Sequence, residues 1–306
     1  MQYFTDKDFP PNIKSLSTTL ATLPPNAGSI EWRRPWMIEA NPKFIVEDAS
    51  RHDIDQGELG NCWFLASAAA LATHHQQAFD RVVPRDQYFH GGYTGKFRFN
   101  FFLNGGWREV VVDDYLPTRD GKLMYCSNTS APNEFWPCLL EKAYAKAKGS
   151  YANLDGGEIK IALEDLTGCL VQVEDIRQMN FGTQSIYDLL RQGHDARVLM
   201  VAGIYPDPLG NDDPPNGLLK GHAYSVTGLR NLVYFGKVIH LIRLRNPWGK
   251  GEWNGNWSDS FCADRLTEQQ KLQLEFHLLD DGEFWMEFHE FVKNFDQINI
   301  CHLPAN

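Results

Sequence analysis

The sequence predicts an α+β fold in which a helical first half precedes a strand-rich second half. Residues 61–77 and 133–148 are dense in helix-favouring side chains, which predicts two buried helices. Runs of β-branched and aromatic residues predict four strands in the second half, at 197–204, 223–229, 237–245 and 282–288. The character of the sequence changes near Gly168, so we expect two domains, 1–168 and 169–306.

The predicted helices have recognisable ends. The first begins at or next to Cys62, and the second carries Pro137 in its first turn and ends at Gly149. Residues 158–170 predict a helix that stops at a glycine break, and residues 183–192 predict another in the second half.

Two other segments of the first half have a different character. Residues 95–112 hold two strand-like runs on either side of Asn104, Gly105 and Gly106, which predicts a β-hairpin. The chain before Trp32 is rich in proline and other turn formers, so we expect little regular structure there.

Composition is that of a folded globular protein and excludes some functions. Hydrophobic residues make up 43% of the 306 residues and charged residues 22%. Asp and Glu number 39 against 29 Lys and Arg, which argues against nucleic acid as the ligand. The first residues lack the pattern of a secretion signal, and no stretch approaches the roughly 18 apolar residues of a spanning helix. We therefore expect a cytoplasmic protein without a transmembrane segment.

The cysteines are interpreted as thiols. They are scattered along the chain without CxxC pairs, which fits neither a zinc site nor a dense disulfide framework. The six positions are Cys62, Cys126, Cys138, Cys169, Cys262 and Cys301. Apart from Cys62, we expect them to be reduced and mostly buried thiols.

Cys62 is the candidate nucleophile. The N-terminus of a helix stabilises a thiolate through the partial positive charge of its backbone N–H groups. Gln56 lies in a loop with Gly57 and Gly60, which can bring its side-chain amide beside the Cys62 backbone N–H. These two donors would form an oxyanion hole. Taken alone, a buried structural cysteine after a glycine turn explains the segment equally well.

His222 and Asn246 are candidates for the base and for the group that orients it. His222 lies between an irregular segment and a predicted strand, and Asn246 ends another predicted strand just before Pro247. An asparagine oxygen can hold an imidazole in the tautomer that proton transfer requires. Trp248 could cover this hydrogen bond from water. A single histidine at such a position is more often structural, so the assignment depends on all these residues together.

Three segments carry a family resemblance. QGELGNCWFL, KGHAYSVTG and RNPWGKGEWNGNW resemble the active-site segments of the calpain family of cysteine proteases, in the family's order. The shorter matches NEFW, LLEKAYAK, EDLTG and DGEFW keep that order, and the resemblance covers residues 32–302. It implies a papain-like fold in which a helical lobe with Cys62 and an antiparallel β-rich lobe with His222 and Asn246 enclose an active-site cleft.

The resemblance also implies an activity and its partners. It implies a calcium-dependent endopeptidase that performs limited proteolysis through an acyl-enzyme thioester. Protein substrates would bind extended in the cleft, and a protein inhibitor would be a further partner.

Two calcium sites follow from the same resemblance. Calcium takes six to eight oxygen ligands, often carboxylates together with backbone carbonyls. The first site is expected to use the carboxylates of Asp53 and Glu134 with the carbonyls of Val46 and Asp48. The second is expected to use side chains of Glu252, Asp259, Asp281 and Glu283 with the carbonyl of Leu279. Any one of these acids alone would be interpreted as a solvated surface residue.

The chain departs from the family pattern in two places, and rival functions stay open. Asn61 stands where the commonest family pattern has Asp, and Asp48 stands where Gly often supplies the carbonyl. One rival is a calcium-dependent transglutaminase-type acyl transferase, which would normally orient its histidine with Asp. The other is a non-catalytic calpain-like scaffold, which would normally lack a member of the triad.

Overall fold

A computed structural model describes residues 3–178, 182–210 and 213–304. The backbone divides into two compact units, Met1–Gly168 and Cys169–Asn306. Helices carry the core of the first unit and one antiparallel sheet carries the second, so the predicted α+β class is confirmed.

The first unit contains six helices and five strands in its described part. The helices are α1 (Ile13–Leu16), α2 (Pro35–Ile38), α3 (Cys62–His74), α4 (Gln76–Val82), α5 (Trp136–Lys148) and α6 (Ile159–Thr167). The strands are β1 (Glu31–Arg33), β2 (Lys96–Leu103), β3 (Gly106–Asp113), β4 (Leu116–Arg119) and β5 (Lys122–Leu123). β2 pairs with β3, and β1, β4 and β5 form a small sheet.

Helices α3 and α5 form the buried centre of the first unit. Residues 62–72 of α3 are all buried, which agrees with its continuous run of small and apolar side chains. The ring of Phe64 on α3 stacks on that of Tyr144 on α5, with centroids 4.0 Å apart. This contact fixes α3 against α5.

The second unit is built on a six-stranded antiparallel sheet. Its strands are β6 (Val171–Asp175), β7 (Leu199–Ile204), β8 (His222–Tyr234), β9 (Lys237–Arg245), β10 (Glu283–Glu287) and β11 (Gln297–Cys301), in the spatial order β10, β9, β8, β7, β11, β6. Its helices are α7 (Thr183–Asp195), α8 (Asp259–Arg265), α9 (Glu268–Gln273) and α10 (Phe288–Asn294). The β8–β9 hairpin brings the first residues of β8 opposite the last residues of β9, with Ser225 paired to Arg245.

Several predicted boundaries were wrong by a few residues. The second helix begins at Trp136 rather than at residue 133, because residues 133–135 form backbone hydrogen bonds with Lys43. The first helix ends at His74, and His75 is non-helical before α4 begins. The strand predicted at 223–229 continues to Tyr234 because β9 pairs with its whole length.

The structure also bears on the predicted lack of a membrane span. Among the residues that it describes, no helix has both the length and the apolar character needed to cross a membrane.

Candidate active site

Cys62 is the first residue of α3, as the sequence predicted. Asn61 caps the helix, and its carbonyl accepts the N–H groups of Phe64 and Leu65 at 3.0 and 3.1 Å. The cysteine is 8% exposed. The N–H groups of the first turn of a helix present partial positive charge, which favours the thiolate form of a cysteine placed there.

The Gln56 loop is held close to this helix start. Gln56 Nε2 donates to the carbonyl oxygen of Leu59 at 2.6 Å, and the N–H of Asn61 donates to the same oxygen at 2.9 Å. A Cβ at Gly57 would lie 2.3 Å from the carbonyl oxygen of Met124, so only glycine allows the loop to pack this tightly. One amide hydrogen of Gln56 is therefore used within the loop.

His222 and Asn246 are brought together within the second unit. His222 is the first residue of β8 and Asn246 follows the last residue of β9, so the register of the hairpin places them side by side. His222 Nε2 lies 2.7 Å from Asn246 Oδ1. Both residues are buried, at 6% and 0% exposure.

The hydrogen bonds of Asn246 fix the tautomer of His222. Asn246 Oδ1 accepts the N–H of Trp248 at 3.0 Å, and Asn246 Nδ2 donates to the carbonyl of Gly251 at 2.9 Å. The oxygen of the amide therefore faces the ring, and His222 Nε2 must carry the proton. In the neutral ring this leaves Nδ1 as the acceptor, the form that a general base requires.

Burial keeps the His222 imidazole neutral. Burial lowers its pKa to about 4, while the hydrogen bond to Asn246 acts in the opposite direction. The rings of Trp248 and Tyr224 both meet the imidazole edge to face, with centroids 5.2 and 5.0 Å away. Trp248 is 39% exposed, so it forms the boundary between the hydrogen bond and solvent.

Four carboxylates in the second unit influence each other electrostatically. Burial, followed by the charge of Asp259, raises the pKa of Glu252 to about 7. Burial also raises the pKa of Asp259 to about 7, and the charges of Asp281 and Glu283 add to the effect. The Leu279 backbone bonds to the Asp259 carboxyl, while Asp259 Oδ2 is buried without a hydrogen-bond partner in the described part of the chain.

The remaining predicted acids of this group make protein contacts of their own. Glu283 N–H donates to Asp281 Oδ1 at 2.9 Å, and Glu283 Oε2 lies 3.6 Å from Arg243 Nε. Glu252 Oε1 accepts the N–H of Gly282 at 3.0 Å. The acids are thus tied to the loop that precedes β10.

Two of the acids predicted for the first unit also interact electrostatically. Burial raises the pKa of Glu134 to about 7, and the charge of Asp53 adds to this. Glu134 accepts the Val46 N–H and the Asn128 side chain, whereas Asp53 accepts the N–H and hydroxyl of Ser50.

Asp48 was predicted to contribute its carbonyl rather than its side chain. Its side chain is 86% exposed and pairs with Arg85 at 3.0 Å. The carboxylate of Asp48 is therefore engaged in a surface ion pair.

Among the described residues, the two groups of acids do not form a gathered ligand set. Across residues 3–178, 182–210 and 213–304, no three His, Cys, Asp or Glu side chains are gathered as metal ligands. The raised pKa values of Glu252 and Asp259 nevertheless show carboxylates held near one another away from water, and one Asp259 oxygen is buried without a hydrogen-bond partner among the described residues. The donor set is hard oxygen, which suits calcium.

The irregular segment that precedes His222 is partly described. In residues 205–220, Lys220 pairs with Asp207 at 2.9 Å, and the N–H of Tyr205 donates to Asp296 at 2.6 Å. Positions 211 and 212 lie outside the described residues. These contacts fix both ends of the segment that leads to His222.

Sequence reasoning missed two residues near the predicted site. Glu141 on α5 accepts hydrogen bonds from Asn61 Nδ2 at 2.7 Å and from the N–H of Cys126 at 3.0 Å. Gly282 accepts the N–H of Asn246 at 2.8 Å. The available signal for Glu141 was an acid at helical spacing between apolar residues of a buried helix, whereas Gly282 offered only a turn signal.

Comparison with known proteins identifies the family. A family profile described as calpain family cysteine protease matches residues 4–302. The chain is 44% identical to calpain-9 of Rattus norvegicus over 99% of its own length and 43% of that protein. It is 44% identical to calpain-A of Drosophila melanogaster over 90% of its length and 34% of that protein. It is 40% identical to the calpain-1 catalytic subunit of Mus musculus over 99% of its length and 42% of that protein.

The matches extend over nearly all of this chain but over less than half of each of these relatives. The predicted resemblance and the α+β class of a papain-like protease core are therefore confirmed. The chain belongs to the calpain family of cysteine proteases.

Proposed function

We propose that this chain is a calcium-dependent cysteine endopeptidase that uses Cys62, His222 and Asn246 as its triad. The observation that carries the proposal is the hydrogen bond between His222 Nε2 and Asn246 Oδ1, which leaves Nδ1 as a proton acceptor. The position of Cys62 at a helix N-terminus supports its role as the nucleophile. Membership in a family of cysteine proteases supports the same assignment.

The proposed reaction follows from these roles. His222 Nδ1 takes the thiol proton as Cys62 Sγ attacks the carbonyl carbon of the scissile peptide. The Cys62 N–H and the Gln56 side chain bind the oxyanion that forms. The imidazolium then gives its proton to the leaving amine, and a thioester remains. Water, deprotonated by His222, hydrolyses the thioester and restores the thiol.

We propose that Trp248 maintains this geometry. Its ring lies against the imidazole, and its backbone N–H donates the second hydrogen bond that Asn246 Oδ1 accepts. Both contacts limit rotation of the amide and the entry of water.

We also propose calcium control through both groups of acids. The first group would offer Asp53, Glu134 and the carbonyls of Val46 and Asp48. The second would offer Glu252, Asp259, Asp281, Glu283 and the carbonyl of Leu279. Bound calcium would neutralise carboxylates that otherwise repel one another. Since the ligands are not gathered in this structure, we infer that they rearrange locally when the cation binds.

The absence of a disulfide supports a reducing compartment. The structure describes all six cysteine positions, and each is a thiol. We therefore propose action in the cytoplasm on protein substrates bound extended, with a protein inhibitor as a further partner.

The test is hydrolysis of a fluorogenic peptide across a calcium titration, with Cys62→Ala as the control. Calcium-dependent hydrolysis that the substitution abolishes is the expected result. Equal hydrolysis in excess chelator would exclude calcium control, and the absence of any hydrolysis that depends on Cys62 would exclude the protease. Faster incorporation of a labelled amine than peptide cleavage would favour a transglutaminase-type enzyme instead.

A further inference from the structure

Glu141 is a buried acid that the proposed reaction does not use. It lies in the middle of α5 and is 1% exposed. Its two carboxylate oxygens accept one hydrogen bond each, from the Asn61 side chain at 2.7 Å and from the Cys126 N–H at 3.0 Å. In the described part of the chain it has no cationic partner, so these two bonds compensate its burial. Burial raises its pKa to about 7.

The first of these bonds reaches the start of the nucleophile helix. Asn61 directly precedes Cys62 and is fully buried. Its N–H shares the Leu59 carbonyl with the Gln56 side chain, and its own carbonyl accepts the first N–H groups of α3. Fixing the Asn61 side chain therefore fixes the peptide that carries the Cys62 N–H.

The second bond reaches the segment that supports the Gln56 loop. Cys126 lies between Met124, whose carbonyl accepts the Glu58 N–H at 3.0 Å, and Ser127, which exchanges two backbone bonds with Asp55 at 2.9 Å each. This segment is the surface against which Gly57 packs. One carboxylate thus ties α5 to both sides of the loop in residues 55–61.

We propose that Glu141 is a positioning residue that holds the Cys62 N–H and the Gln56 side chain at the separation an oxyanion requires. This inference rests on the proposed protease function. Because oxyanion donors act on the transition state, loosening them should lower kcat and leave KM nearly unchanged.

Glu141→Met is the test variant, since it keeps an unbranched side chain but removes both acceptors. Removal of one oxyanion donor typically costs about 10²–10³ in kcat, and we expect a fall of about 10–100-fold from displaced donors. Alkylation of Cys62 by iodoacetamide forms an S–C bond and releases iodide without any oxyanion. Its rate should therefore stay within about twofold of that of the unmodified protein.

Two further variants serve as matched controls. Glu141→Gln can keep both hydrogen bonds, because its amide oxygen can accept from Cys126 and its amide nitrogen can donate to a rotated Asn61 oxygen, which now lacks a partner. We expect its kcat to stay within about threefold. Tyr144→Phe removes a 2.7 Å bond to Asp165 from the same helix and should leave kcat unchanged.

The outcomes separate this inference from the proposed function. A fall in kcat with unchanged alkylation, restored by Glu141→Gln, supports it. Equal losses of kcat and alkylation, or a kcat within threefold for Glu141→Met, would overturn it while the protease stands. If the unmodified protein has no hydrolysis that depends on Cys62, both are wrong. Should Glu141→Met fail to fold, Asn61→Leu removes the same bond from the other side and must give the same pattern.

Discussion

Replacing Asn246 by Ala tests whether this residue orients the base. The substitution removes the acceptor of two N–H groups, from His222 and Trp248, and the donor to the Gly251 carbonyl. A buried polar group left without a partner costs about 1–3 kcal/mol. The substitution leaves three such groups, the N–H groups of His222 and Trp248 and the carbonyl of Gly251. Because water can enter the space that the side chain leaves, we take about 1 kcal/mol for each group and expect the free energy of unfolding to fall by about 3 kcal/mol.

The effect on activity should be larger than the effect on stability. Without Asn246 the imidazole can rotate and can adopt the other tautomer. A misplacement of about 1 Å can cost about 10² in rate, and loss of the orienting carboxylate in a serine protease costs about 10⁴. We therefore expect kcat on a fluorogenic peptide to fall by about 10²–10³ with KM within threefold. Urea unfolding of the same preparation measures the stability separately.

The chain contains its own control for this experiment. Asn231 Oδ1 lies 2.7 Å from His240 Nδ1 across the same two strands, β8 and β9, but at an exposed position. Asn231→Ala should leave kcat unchanged. It should change the free energy of unfolding by no more than about 0.5 kcal/mol. A folded Asn246→Ala variant that keeps kcat within fivefold would refute the assigned role, as would equal losses in the two variants.

Three further predictions concern the buried acids and the loop before β10. Because the pKa of Glu141 is raised to about 7 from its usual 4.5, it stabilises the fold below pH 4.5, and about 3 kcal/mol is lost as pH rises to 7. Glu141→Gln should flatten unfolding midpoints over this range, and an unchanged slope would contradict the assignment. Gly282→Ala places a Cβ 2.7 Å from the Asn246 carbonyl oxygen at a φ of +79°, whereas Gly236→Ala has a φ of +73° and open space. Gly282→Ala should therefore lower the thermal midpoint and kcat. The control Gly236→Ala should cost only the backbone strain of about 1–2 kcal/mol. Equal effects of the two substitutions would exclude the steric argument. Calcium binding should release protons below pH 7, because the pKa of Asp259 is raised to about 7. Calorimetry should find calcium binding at least tenfold weaker in Asp259→Asn. An unchanged affinity would remove Asp259 from the ligand set.

Local signals in the sequence predicted the elements that local forces determine. The turn of the first hairpin is one case, because Asn104 and Gly105 both adopt positive φ, 52° and 77°, as a two-residue turn requires. Strands β6 and β11 were missed because their pairing is long-range, with Gln297 opposite Asp175. Their sequences are short and lack a turn between them, so neither carries a hairpin signal.

The same distinction applies to the candidate site. His222 and Asn246 were predicted as partners from the chemistry of a Cys-His-Asn triad and from the family resemblance, and the structure pairs their strands as one hairpin. The role of Glu141 could not be predicted, because the two groups that donate hydrogen bonds to its carboxylate come from segments 15 and 80 residues away. A buried acid has a role only through such partners, and helical periodicity does not reveal them.

The low pKa of His222 bears on the protonation state of the proposed Cys62–His222 pair. Burial lowers the pKa of His222 to about 4, whereas an ordinary thiol titrates at about 8.5, so the proton stays on sulfur unless about 6 kcal/mol is supplied. A thiolate about 4 Å from the imidazolium supplies about 4 kcal/mol at an effective dielectric constant of 20, and a helix N-terminus adds at most about 2 kcal/mol. These terms only just offset the deficit. In the proposed mechanism the ion pair is therefore favourable only at contact distance, and a misplacement of about 1 Å at either residue would cost about 10² in rate.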